Sequence, residues 1–230
     1  MITFYQYLQQ FHEIIMLDNP EIEKQMKPYP DWSGGKIKGF NMDIDDSRFS
    51  CYLKEKELSR LSGMGTFYTD NTLTIDYLNA GFPPFFYEIY FAGYNINKIN
   101  NLGGMDLKNI YGAKATLIYN FMLISIKKAI ETFENEGKPV NIIKYFGVDP
   151  TTDAMYHKFF EQYLKNDYIR VDRYYIMKKE IFKQLADKNN ELINKQAQVE
   201  KDFQDHLDLV REIRKQRRKD RVQVAQEKQP

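Results

Sequence analysis

Aromatic side chains almost cease at residue 178. Of sixteen Phe, seventeen Tyr and one Trp, only Phe182 and Phe203 fall among the last 53 residues. Charge changes at the same point: residues 178–230 hold 14 Lys/Arg against 10 Asp/Glu, and residues 1–177 hold 19 against 22. A chain divided in this way does not pack as one uniform body. It reads as an α/β (α+β) domain over residues 1–177, followed by a charged helical tail over residues 178–230 that ends basic. The large rings of the domain suit a core or an interface, and the codon bias of an AT-rich genome yields the same composition.

Periodicity supplies the elements. Phe4, Tyr7, Leu8, Phe11, Ile14 and Ile15 recur at helical spacing over residues 3–17, and residues 28–39 are rich in Pro and Gly, as loops are. Leu53 to Leu61 reads as a short helix, and Asp70-Asn71 as a hairpin turn joining strands at residues 66–69 and 72–77. The run Phe85 to Ala92 is the strongest strand signal. A Gly-containing loop over residues 95–112 precedes a long helix from Ala113 to Glu134, whose wide apolar face predicts burial against a sheet. Gly137 and Pro139 stop it, and Val140 to Val148 follows as a buried strand. Thr151 or Thr152 caps a helix running to about Lys165, and Tyr168 to Met177 alternates as a strand or a hairpin about Asp172-Arg173.

Several chemistries are absent from the pattern. One cysteine, Cys51, excludes an internal disulfide framework and reads as a buried thiol. His12, His157 and His206 stand far apart on separate helices without metal-ligand spacing, so no metal is expected. Asp43, Asp45 and Asp46 read as a solvated turn more readily than as a cation site. There is no nucleophile elbow and no phosphate-binding P-loop. No apolar run reaches the roughly 18 residues of a membrane span, and Met1 to Leu8 lacks a basic, then apolar, leader. Synthesis in the cytoplasm and no membrane partner are the expectation.

The order strand, Gly-containing loop, long buried helix, strand, turn, helix, strand over residues 85–178 resembles the second half of the GNAT acetyltransferase fold, a mixed central sheet flanked by helices. In that family the signature Arg/Gln-x-x-Gly-x-Gly/Ala holds a cofactor pyrophosphate at a helix N-terminus. The matching stretch runs from Lys108 to Ala115, with Gly112 in place but Asn109 and Lys114 departing from the signature. The resemblance implies Gly112, Ala113 and Lys114 as the cofactor contacts, with acetyl-coenzyme A as cofactor, and Tyr156 as the acid that protonates the leaving thiolate. Shorter motifs resemble the GNAT-like virion-associated proteins of tailed bacteriophages. They are Thr3 to Leu8, Glu88-Ile89-Tyr90-Phe91, Phe133 through Lys138-Pro139 to Ile143, and the turn-helix that carries Tyr156. That resemblance implies a location in the virion and no cofactor.

The tail carries Ile181, Leu185, Leu192, Val199, Phe203, Leu207, Val210 and Ile213 at approximate 3/4 spacing. This narrow apolar stripe on a charged rod calls for a partner surface, a partner helix or the chain's own domain. At its end Arg211, Arg214, Lys215, Arg217, Arg218, Lys219 and Arg221 suit a phosphate backbone or an acidic neighbour, and a solvated terminus has the same composition. Two functions follow as expectations. One is a structural virion component, in a connector ring or inside the head, that meets other virion proteins, copies of itself and packaged DNA. The other is an acyl-coenzyme A-dependent N-acetyltransferase.

Overall fold

A computed structural model describes residues 20–58, 71–95, 113–145, 156–157, 159–172 and 174–227. The expected helix over residues 3–17, the strand at 66–69, most of the loop at 95–112, Phe146 to Val148 and the cap at Thr151 or Thr152 lie outside them. The described elements are α1 (Pro20–Gln25), β1 (Lys27–Pro28), β2 (Ile37–Ile44), β3 (Ser47–Glu57), α2 (Asn71–Asn79) and β4 (Phe85–Asn95). There follow α3 (Ala113–Asn135), β5 (Ile142–Lys144), a π-helical turn at Phe160–Leu164, β6 (Tyr168–Asp172), β7 (Tyr175–Lys178), α4 (Lys179–Ala186) and α5 (Glu191–Glu227). Seven strands form one sheet in the order β1-β2-β3-β4-β5-β7-β6, and among them only β4 and β5 run parallel. The fold is therefore mixed, with a mostly antiparallel sheet and helices on both faces.

Two clusters flank the sheet. On one face α3 sets Phe121, Met122, Ile126, Ala129 and Phe133 against Phe49, Cys51, Leu53 and Tyr87. Cys51 is a buried thiol facing the Met122 carbonyl at 3.7 Å, and burial pushes its ionisation far upward, so it is packing material and no nucleophile. Gly137, at φ 77°, ends α3 in the left-handed conformation that glycine adopts without strain. On the other face Tyr77, Phe86, Tyr175, Met177, Phe182 and Leu185 join α2 and α4 to the strands. Most described rings thus serve the core; Trp32, 75% exposed, is the main exception.

Two sequence expectations are corrected. Thr72 to Tyr77 is helical, because Leu73, Thr74 and Tyr77 are buried while Ile75 is exposed, a 3/4 spacing and not an alternation. Leu53 to Glu57 is strand, since Phe49, Cys51, Leu53 and Glu55 alternate inward along β3. The acidic group resolves into a β2–β3 hairpin turn. There Asp45 adopts φ 51°, and Asp43 accepts hydrogen bonds from Arg48 at 2.6 and 2.9 Å. Asp43 is thereby an ion-pair member, its carboxyl held low by that arginine.

Gly39 faces Tyr52 across the β2–β3 pair, and a Cβ at Gly39 would lie 2.3 Å from the Tyr52 Cβ. The missing side chain lets Tyr29 and Tyr52 stack with ring centres 4.4 Å apart, and Tyr52 stacks in turn on Tyr90 at 5.0 Å. This ladder ties the β1 edge to the central strand by cross-strand ring contacts.

Candidate functional site

The opposite edge of the sheet is closed by the tail. Phe182 and Phe203, the two aromatics that stand beyond residue 178, are both buried. Phe182 comes from α4, which lies on the sheet. From there α5 runs along β6: Leu192 joins the cluster of Ile142, Tyr175 and Met177, and Phe203 closes over Arg170 of β6. Along β6, Ile169 and Val171 face the first of these clusters while Tyr168 faces the α3 side, so α5 wraps the edge strand that would otherwise be open for pairing.

Arg170 is fully buried and is the centre of this contact. Its guanidinium carbon lies 3.8 Å from the ring centre of Phe203, 5.0 Å from that of Phe160 and 5.4 Å from that of Tyr145. Such rings attract a cation most strongly where water is excluded. Glu200, one turn before Phe203 and on the same face of α5, approaches Arg170 Nε at 3.6 Å. Arg170 Nη2 meets His157 Nδ1 at 3.1 Å. Arginine can only donate, so His157 accepts through an unprotonated Nδ1. Burial pulls Arg170 down to about 10, against the pull of Glu200 and Asp172, and burial likewise raises Glu200. In both partners the loss of water outweighs the mutual attraction. The pair therefore specifies where α5 docks more than it stabilises the fold.

The histidines are not independent. His157 and His206, far apart in sequence, both contact Phe203, with ring centres at 5.0 and 6.4 Å. His12 lies outside the described residues, and among those described no cluster of His, Cys, Asp or Glu is arranged to hold a metal.

The residues that the acetyltransferase resemblance implied are placed as follows. Ala113 and Lys114 open α3, and Gly112 lies outside the described residues. Tyr156 is 3% exposed, its ring packed 5.7 Å from that of Tyr145, next to the Arg170 cage. Among the described residues the β4–β5 pairing covers Tyr87 with Ile143 and Glu88 with Lys144, and β4 continues to Asn95. Thr116 Oγ1, Asn120 Oδ1 and Ser125 Oγ of α3, and Tyr145 OH beyond β5, are buried without a hydrogen-bond partner among the described residues.

Past Phe203 the character of α5 changes. Leu209 and Ile213 are 56% and 44% exposed, and the helix continues to Glu227. The basic positions Arg211, Arg214, Lys215, Arg217, Arg218, Lys219 and Arg221 all lie on this continuation, with Lys215 exposed. No helix among the described residues is long and apolar enough to cross a membrane. The chain matches no protein-family model, no curated protein and no solved structure.

Proposed function

We propose that the protein is a non-enzymatic structural component of a tailed-phage virion, a connector-ring or internal head protein. In this reading an acetyltransferase-like domain serves as scaffold and the C-terminal helix makes the contact with a neighbouring subunit or with DNA. The observation that carries it is the division of α5. Leu192, Glu200 and Phe203 fix the first part to the domain, and the helix continues past them to Glu227 as a basic part in which Leu209, Ile213 and Lys215 are exposed. A rigidly rooted helix presents its free part without the ordering cost of a flexible tail. The GNAT-like assignment draws support from the single parallel pair β4–β5 and the long helix that connects it. The experiment is the protein composition of purified particles with the full chain and with a chain ending at residue 208. Stoichiometric incorporation of the full chain and loss of the shortened one are expected; equal incorporation of both would overturn the arm's role.

A second reading, acetyl transfer from acetyl-coenzyme A, is favoured by one observation. The orphaned polar atoms of Thr116 and Asn120 lie within the first eight residues of α3, and Tyr145 OH lies just beyond β5. Against it, Tyr156 is enclosed by protein. Calorimetric titration with acetyl-coenzyme A separates the two. Micromolar binding lost in Gly112→Trp would give transfer the lead, whereas no heat and no thermal shift at millimolar cofactor leave the scaffold.

A further inference from the structure

Charge along α5 is segregated on a scale that the helix itself does not require. Residues 191–208 carry five acidic side chains against two basic ones, and residues 209–227 carry seven basic against three acidic. Acid first and base last suits the helix dipole, but that effect is confined to about the first and last turn. Here the two signs fill about five turns each. Among the described side chains, the docked residues Leu192, Glu200 and Phe203 all belong to the acidic half, and Leu209, Ile213 and Lys215 of the basic half are exposed.

We infer that the projecting part of α5 pairs antiparallel with the same segment of a second copy of this chain. The inference rests on the reading of α5 as a contact arm and names the arm's partner. An antiparallel pair lays each acidic half beside the other copy's basic half, whereas a parallel pair lays basic on basic. A two-fold crossing centred on residue 211 sets Leu209 of one copy level with Ile213 of the other, twice. The same register sets Asp205 and Asp208 level with Arg217 and Arg214. Leu209, Ile213, Asp205 and Asp208 are exposed, so the acidic and apolar halves of this match are accessible. One surface then serves both partners, which is the closed arrangement commonest among homo-oligomers. The apolar seam is short, so charge sets the register and the affinity depends on salt.

Sedimentation equilibrium of the full chain tests this. A dimer is expected, with a dissociation constant that rises about tenfold or more between 50 and 500 mM NaCl. Asp205→Arg/Asp208→Arg and Arg214→Asp/Arg217→Asp are each expected to be monomeric. Mixed one to one, they are expected to form a mixed dimer, a result that misfolding of either variant cannot imitate. A wild-type monomer at 100 µM overturns the inference, as does a mixture that stays monomeric while each variant keeps the wild-type melting temperature. If that monomer instead binds duplex DNA with steep salt dependence, and Arg214→Asp/Arg217→Asp abolishes the binding, self-pairing falls and the arm survives as a contact surface. Equal entry of the chain ending at residue 208 into particles removes the arm itself.

Discussion

The two halves of α5 share one helix and one spacing rule, yet they obey different physics. Up to Phe203 the helix is held by burial: Leu192 and Phe203 are enclosed, and Glu200 reaches a cation that has left water altogether. Beyond it, Leu209 and Ile213 continue the apolar periodicity while remaining exposed among charges. Periodicity alone therefore predicts a helix and not what the helix touches. The largest test of the difference is Phe203→Ala, which removes the lid of the Arg170 cage and its closest cation–π contact. Loss of about 3 kcal/mol is expected from chemical denaturation. A loss under about 0.5 kcal/mol, the range of ordinary surface changes, would mean that the first half of α5 is not docked in solution.

Next in size are changes to the ion pair. Replacing Glu200 by Leu alone removes a carboxylate whose loss of water outweighs its attraction to Arg170, so at pH 7 stability should change by no more than about 1 kcal/mol. That figure is low for a buried pair because Glu200 keeps part of its side chain in water. Replacing both, as Arg170→Met/Glu200→Leu, should match wild-type stability or exceed it, since both desolvation penalties vanish together. If the double variant is less stable than Glu200→Leu, the pair contributes net stability and its role is more than specifying where α5 docks.

How much of this could be read from the chain depends on the range of the contact. The broad apolar face of α3 and the strand at Phe85 are local patterns, and each appears where its period placed it; Tyr168 to Met177, which the sequence leaves open between one strand and a hairpin, is a hairpin. Thr72 to Tyr77 reads as strand in the sequence because Thr and Ile favour strands by propensity, whereas burial of Leu73 and Tyr77 in the second cluster, with Thr74 buried beside them, decides for helix. The Arg170 cage draws on residues 145, 157, 160, 200 and 203, which no local window contains. Two signals pointed to it. Arg170 interrupts a strand whose other positions are mostly apolar, and Phe203 is one of two rings in a tail otherwise without them.

Acid separates the two ion pairs by sign. The folded Glu200 carboxyl has a raised pKa, so its protonated form favours the fold. That contribution is fully present below the unfolded value, near 4.5, and is lost as pH rises through the raised one. Asp43 is depressed by its hydrogen bond from Arg48, so its contribution stands above its unfolded value of 3.8 and is lost as pH falls through the lower one. The stability difference between wild type and Glu200→Gln should thus shrink as pH falls below the raised Glu200 value. For Asp43→Asn it should shrink only in stronger acid. Denaturation curves between pH 3 and 7 give both differences, and a pH-independent Glu200→Gln difference would place that carboxylate in water.

The smallest expected effect draws the sharpest line between the halves. Ile213 sits at the same helical spacing as the buried positions, and an apolar residue there looks like core in the sequence. At 44% exposure it has little surface to lose on unfolding. Ile213→Ala should therefore change the stability of the isolated domain by less than about 0.5 kcal/mol, the ordinary range for surface substitutions. Alanine also favours the helix slightly. The measurement belongs at micromolar protein in 500 mM NaCl, where arm contacts between copies are weakest, followed by the same measurement at low salt and high concentration. A cost that appears only in the second condition belongs to an interface and marks Ile213 as part of the arm's contact surface. A cost equal in both belongs to the fold, and it would move the boundary between the docked and projecting halves of α5 from Phe203 to beyond Ile213.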